Sequence, residues 1–182
     1  TEKATILEIL DADVRLGAGA TATLPEDVDL VVTSPGWRPT AAPLVAAATR
    51  GIPVWGDVEL AWRLRDPERP APWLAVTGTN GKTTVVRMLA QILTASGLKA
   101  PAVGNVGEPV VTSVLSPEPY DVLAVELSSY QLHWTRSMSA RAAAVLNVAP
   151  DHLDWHGSLQ AYARDKGRIY EQAQVACVYN VA

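Results

Sequence analysis

Nine residues, Val76-Thr77-Gly78-Thr79-Asn80-Gly81-Lys82-Thr83-Thr84, constrain this chain more than any other stretch. They follow an apolar run, Trp73-Leu74-Ala75-Val76, that reads as a strand, and they precede a helical pattern with Val85, Met88, Leu89, Ile92 and Leu93 on one stripe. Strand, glycine loop and helix in that order build a cradle for phosphate, because the loop amides and the helix N-terminus point at the anion. Lys82 adds a mobile positive charge, and Thr83 offers a hydroxyl suited to Mg²⁺. The usual P-loop spacing needs glycine at position 76. Here the residue is Val76, so the loop is a variant. The bland alternative is a glycine-rich turn that caps a helix.

The bulk properties narrow the partners. A 182-residue chain with 48% hydrophobic residues is long and apolar enough for one domain or parts of two. The formal charge is −4 and no basic block occurs, which argues against nucleic acid but not against nucleotides. Cys177 is the single cysteine, so no intrachain disulfide forms, as suits a reducing compartment. No apolar run nears membrane-spanning length and no signal peptide opens the sequence, so a cytoplasmic protein without a membrane partner is expected.

The segments alternate in an α/β rhythm. A helix is predicted over residues 2–10, strands over 14–16, 28–33 and 52–55, and a helix over 41–50 that stops at Gly51. Asp57 is a candidate cap for a helix running to Leu64. Three prolines within residues 66–72 block helix and sheet and predict a linker. The expected domains are therefore 1–70 and 71–182. In the second, continuous apolar runs at 100–103, 121–127 and 142–148 predict parallel strands covered on both faces. A helix over 158–173 and a strand from 175 to 178 complete it. The first unit opens on a helix with no strand before it, and the last strand has no partner after it. Both features predict a piece of a longer protein.

Several side chains stand where chemistry is expected. Glu126 ends the most apolar strand, on the edge where open α/β sheets bind ligands, and a carboxylate there suits Mg²⁺. A solvent-facing or arginine-paired glutamate is the alternative. His152 follows another strand end, where it either binds a metal or phosphate oxygen or caps a loop. Lys166 lies in the middle of the apolar stripe Leu159, Tyr162, Ile169 and Tyr170. It either snorkels outward or is held inward as a desolvated amine with a lowered pKa, able to take up CO₂ as a carbamate. Ser34-Pro35-Gly36 and Asn105 read either as plain turns or as ligand contacts. His133 and His156 are expected to be structural.

Together these segments resemble the Mur ligases of peptidoglycan synthesis. Thr77-Gly78-Thr79-Asn80-Gly81-Lys82-Thr83-Thr84 looks like that superfamily's ATP loop. Glu126-Leu127-Ser128-Ser129-Tyr130-Gln131-Leu132 looks like its D-glutamate-adding branch. The alanine-, diaminopimelate- and dipeptide-adding branches and folylpolyglutamate synthase differ after that glutamate. Gly104-Asn105-Val106-Gly107, Leu146-Asn147-Val148-Ala149-Pro150-Asp151-His152-Leu153-Asp154, Lys166-Gly167-Arg168-Ile169-Tyr170-Glu171, Ser34-Pro35-Gly36 and Gly56-Asp57-Val58-Glu59-Leu60 match as well.

The resemblance implies a partial Rossmann-like N-terminal domain that binds a UDP-sugar, then a partial P-loop ATPase domain. It implies ligation of D-glutamate to UDP-N-acetylmuramoyl-L-alanine with ATP, two Mg²⁺ and CO₂ held as a carbamate on Lys166. It implies ATP contacts from Gly78, Thr79, Asn80, Gly81, Lys82, Thr83 and Thr84. Thr83, Glu126, His152 and carbamylated Lys166 become metal ligands, with Lys82, His152 and Lys166 catalytic. Ser34, Pro35, Gly36 and Asn105 lie along the UDP-sugar, and a monomer is expected. The family's opening strand, the end of its central domain and its third domain are missing from the pattern, so these residues alone are expected not to turn over. Other readings of the loop are another Mur- or folylpolyglutamate-type ligase, a non-catalytic nucleotide binder, and a small-molecule kinase.

Overall fold

A computed structural model describes residues 2–17 and 19–181. Packing divides them into two compact units: residues up to Val31 with Trp37–Val54, and Val32–Gly36 with Trp55 onward.

The first unit holds α1 (Glu2–Ile9) and α2 (Ala42–Thr49). The short strands β1 (Val31–Val32) and β2 (Val54–Trp55) cross the division. Leu44 and Ala47 bury the inner face of α2. Gly51 follows its end at φ +69°, as the predicted stop requires. Arg50 reaches back to the carbonyls of Pro25 and Glu26. Residues 14–16 form no strand; Arg15 pairs instead with Asp13 at 2.7 Å on the exposed surface.

The second unit contains α3 (Asp57–Leu64), β3 (Trp73–Thr77), α4 (Lys82–Ala95), β4 (Ala102–Gly104), α5 (Val110–Val114), β5 (Leu123–Glu126), α6 (Ser129–His133), β6 (Ala142–Val145), α7 (Leu153–His156), α8 (Leu159–Gly167), a 3-10 turn Arg168–Tyr170, and β7 (Ala176–Tyr179). Five strands form a parallel sheet in the order β4-β5-β3-β6-β7. The side-chain period of two sends Trp73, Ala75, Leu123, Val125 and Ala143 to one face, under Val58, Ala61, Val110, Leu132 and Ile169. Val76 and Ala124 go to the other face, under Val86 and Ala90 of α4. Both faces are covered, as the continuous apolar runs predict. Among the described residues no helix is long and apolar enough to cross a membrane.

Some elements differ from expectation. The buried ridge of α4 is Val86 and Ala90, whereas Met88 and Ile92 are exposed: short side chains let the helix lie close on the sheet and turn the longer ones outward. The 158–173 helix tightens to 3-10 geometry at Arg168. Asp57 is the first helical residue rather than the cap. Gly56 occupies the cap position, and Asp57 Oδ2 accepts from Gln131 Nε2 at 2.9 Å. The proline-rich segment does not coincide with the packing division, because α3, which precedes it, packs on α5 and α6.

Candidate active site

The carboxyl ends of β3, β5 and β6 converge on the glycine loop, the edge where parallel α/β sheets bind ligands. Gly81 ends the loop at φ +82°, a left-handed conformation that glycine adopts without strain. No side chain caps α4, so its first-turn N–H groups stay open to an anion. Asn147 fixes the loop from β6: its Oδ1 accepts from the N–H of Thr79 at 3.1 Å and of Asn80 at 2.9 Å, and its Nδ2 donates to Asn80 O at 3.1 Å. Thr79 Oγ1 donates to Ala149 O and accepts from Ala149 N–H.

Two lysines meet on one carbonyl. Lys82 Nζ donates to Gly78 O at 2.9 Å and to Thr79 O at 2.9 Å. Lys166 Nζ donates to the same Gly78 oxygen at 2.9 Å. Lys166 turns inward and is only 2% exposed, with its ammonium 4.6 Å above the Tyr162 ring. Burial, and then the charge of Lys82, lower its pKa to about 8, against the opposing pull of Asp151. Tyr162 OH lies 3.1 Å from Thr79 Oγ1, and burial raises its pKa.

A second set is built on Glu126, 1% exposed. Its Oε2 accepts from Thr83 Oγ1 at 2.8 Å and its Oε1 from Asn105 Nδ2 at 2.9 Å. Asn105 therefore stands at the phosphate end of the site, beside Glu126 and Thr83. Loop 104–107 closes on the same carboxylate strand: Asn105 N–H donates to Glu126 O at 2.9 Å, and a Cβ on Gly104 would overlap that oxygen. Only glycine fits there.

His152 has its side chain 44% exposed and a left-handed backbone at φ 50°. Its Nε2 lies 3.4 Å from Asp151 Oδ2, and its ring centroid is 4.9 Å from that of Tyr130. Among the described residues it makes no hydrogen bond with the lysines or with Glu126. Gly36 is tied in through its carbonyl, which accepts from Trp155 Nε1 at 3.1 Å. Among the described residues no group of three or more His, Cys, Asp or Glu side chains gathers to hold an ion. The expected donor set has only Glu126 and His152 of those types.

Sequence reasoning missed a supporting network. Asp165 Oδ2 lies 2.9 Å from both His133 Nδ1 and His156 Nδ1, and Arg168 Nε donates to its Oδ1 at 3.3 Å. His156 Nε2 is 3.0 Å from Ser129 Oγ, which joins the turn after Glu126 to the residue before Lys166. Burial lowers the His156 pKa, with Asp165 opposing. No local pattern signals this network, because its members come from three helices and the 3-10 turn. Asn147 did carry a signal, a polar residue directly after an apolar strand on the ligand-binding edge.

Residues 76–182 match the family described as the Mur ligase middle domain. The chain belongs to that family. Its Mur ligase middle domain starts within β3 and includes the loop, Glu126, His152 and Lys166. The chain is 66% identical over 180 residues to the UDP-N-acetylmuramoylalanine--D-glutamate ligase of Streptomyces avermitilis, and 64% identical over 182 residues to that of Streptomyces coelicolor. Each match covers 99% of this chain and 38% of the relative. This Mur ligase chain thus spans under half the length of those relatives. The MurF ligase from Thermotoga maritima, solved in complex with ADP, superposes with a TM-score of 0.54 at 16% identity, covering 83% of this chain and 42% of that one; this likeness concerns the fold.

Proposed function

We propose that the protein carrying this chain is an ATP-dependent amide ligase that joins D-glutamate to UDP-N-acetylmuramoyl-L-alanine. The observation that carries this reading is the phosphate loop with Lys82 and buried Lys166 on one carbonyl oxygen, facing the Thr83–Glu126 pair. The names of the Streptomyces relatives supply the substrates. Residues 1–70 are assigned to UDP-sugar binding, through Ser34, Pro35 and Gly36, and residues 71–182 to ATP.

In this reading the open amides of α4 and the Lys82 ammonium hold the β- and γ-phosphates. The terminal carboxylate of the muramoyl-alanine attacks the γ-phosphorus. The bond to the β–γ bridging oxygen breaks, ADP leaves, and an acyl phosphate forms. The amine of D-glutamate, having lost a proton, attacks the acyl carbon; phosphate departs and the amide remains. Bringing a carboxylate to a polyphosphate opposes like charges, and Lys82 offsets this repulsion. The donors present fit Mg²⁺: Glu126 and Thr83 offer hard oxygens 2.8 Å apart, with Asn105 fixing the other carboxylate oxygen. The ion would neutralise charge on the transferring phosphoryl group. His152 and Lys166 would serve a second ion, Lys166 as a carbamate, since its lowered pKa leaves far more neutral amine at pH 7 than an ordinary lysine has.

Phosphate release by the intact protein with ATP, Mg²⁺ and UDP-N-acetylmuramoyl-L-alanine, with and without D-glutamate, tests the reading. Release that requires both substrates, and that Lys82→Ala abolishes, is expected. Release indifferent to D-glutamate would overturn it.

A further inference from the structure

Two successive peptide planes of the phosphate loop carry the lysines on one side and a single asparagine on the other. A trans peptide points its C=O and its N–H in opposite directions. In the plane that joins Gly78 to Thr79, the carbonyl oxygen accepts from Lys82 Nζ and Lys166 Nζ, each at 2.9 Å. The N–H of that plane, on Thr79, donates to Asn147 Oδ1 at 3.1 Å and to Asn147 O at 3.0 Å. In the plane that joins Thr79 to Asn80, the carbonyl accepts from Lys82 Nζ at 2.9 Å. Its N–H, on Asn80, donates to Asn147 Oδ1 at 2.9 Å. Both carbonyls that hold the lysines therefore belong to planes whose N–H ends on Asn147.

The Asn147 amide is fixed in one sense. Its Oδ1 takes two N–H groups while its Nδ2 donates to Asn80 O at 3.1 Å, so a flipped amide would set donors against donors. Aspartate would keep the two acceptances, turn an oxygen toward Asn80 O, and bring a negative charge to the cradle. Asn147 is itself exposed, and all three of its side-chain bonds go to loop backbone, so it acts through these bonds and not through packing. Cutting the side chain leaves the first plane its bond to Asn147 O. The second plane, whose carbonyl holds Lys82 alone, depends on the side chain. Rotation of that plane would turn an N–H toward the Lys82 ammonium in place of the carbonyl.

We propose that Asn147 is a positioning residue for Lys82: it orients the carbonyls that keep the ammonium at the phosphate cradle, and through them it sets the affinity for nucleoside polyphosphates. This rests on the reading that the loop binds ATP, and not on the identity of the other substrates.

Calorimetric titration of the intact protein with ADP and Mg²⁺, and separately with UDP-N-acetylmuramoyl-L-alanine, tests it. Asn147→Ala should weaken ADP binding about tenfold and leave the UDP-sugar within about twofold, since the lost hydrogen bonds all lie on the phosphate loop. Asn147→Asp, which keeps the volume should alanine not fold, should weaken ADP further, and its excess over alanine should shrink in about 0.5 M salt because it is a charge effect. In a Lys82→Ala background, Asn147→Ala should cost less than about threefold, because the group it positions is gone. A role confined to shaping the loop would cost the same with Lys82 present or absent. Unchanged ADP affinity in Asn147→Ala, an equal loss for both ligands, or a loss independent of Lys82 would overturn the proposal. Wild-type protein that fails to bind ADP would sink the ATP reading, and this inference with it.

Discussion

Replacing Lys166 with methionine should make this chain more stable, although it removes a residue assigned to the chemistry. The side chain is 2% exposed, and its amine titrates near 8 instead of at the ordinary lysine value of 10.5. That displacement corresponds to about 3 kcal/mol against the charged form in the folded state. Below pH 8 the amine is protonated both folded and unfolded, so the full penalty is present. Between 8 and 10.5 the unfolded chain binds more protons than the folded one, and stability rises with pH. Methionine keeps the apolar stem over Tyr162 and never charges. It loses the hydrogen bond to Gly78 O, worth about 1 kcal/mol for a neutral donor. Lys166→Met should therefore gain about 2 kcal/mol at pH 7, and the gain should shrink by about 2 kcal/mol at pH 9.5. Urea unfolding of both proteins at the two pH values, in buffer purged of CO₂ so that the amine stays free, measures this. A variant destabilised by the same margin at both pH values would refute the reasoning, since it would mean the amine is held at no electrostatic cost.

Two further outcomes are expected. Glu59 is fully buried and accepts from Arg136 N–H, Ser137 N–H, Ser137 Oγ and Arg63 Nε; burial pushes its pKa up, but these bonds prevail and hold it below 4.5. Glu59→Gln should cost about 3 kcal/mol at pH 7. The difference, present above the unfolded-state pKa, should diminish as acid unfolding carries the pH down through the folded-state value, which chemical denaturation at pH 7 and pH 4 would show. Gly104→Ala forces a Cβ onto the Glu126 carbonyl at φ +101°, so it should cost about 2–4 kcal/mol by thermal unfolding and displace Asn105 from the carboxylate.

What was legible in the sequence was local. The loop, its strand and its helix announce themselves through spacing alone, and the continuous apolar runs at β5 and β6 told of a sheet buried on both faces. Glu126 and Lys166 stand out in the sequence because each breaks an apolar pattern, and both side chains are buried. What escaped came from distance or from rotation. Asp165 gathers His133 from 32 residues away and His156 from 9, and no periodicity encodes that meeting. Met88 and Ile92 belong to an apolar stripe by counting, yet the close approach of Ala90 to the sheet sets the helix's rotation and leaves them outside. Tyr162 was read as one more stripe residue because a phenol that packs and a phenol that hydrogen-bonds are the same letter. The hydrogen bond from Asn105 to a carboxylate 21 residues ahead has no local signal either.

The oxygen of Gly78 shared by Lys82 and Lys166 imposes a chronology. The charge on Lys82 is part of what keeps Lys166 prone to lose its proton. On the proposed reading, a polyphosphate seated on Lys82 would cancel that influence and return Lys166 toward the protonated form, which is inert to CO₂. On the proposed reading, an enzyme that meets nucleotide first is slow to mature, and one that meets bicarbonate first is already primed, so the order of addition leaves a memory in the early part of the progress curve.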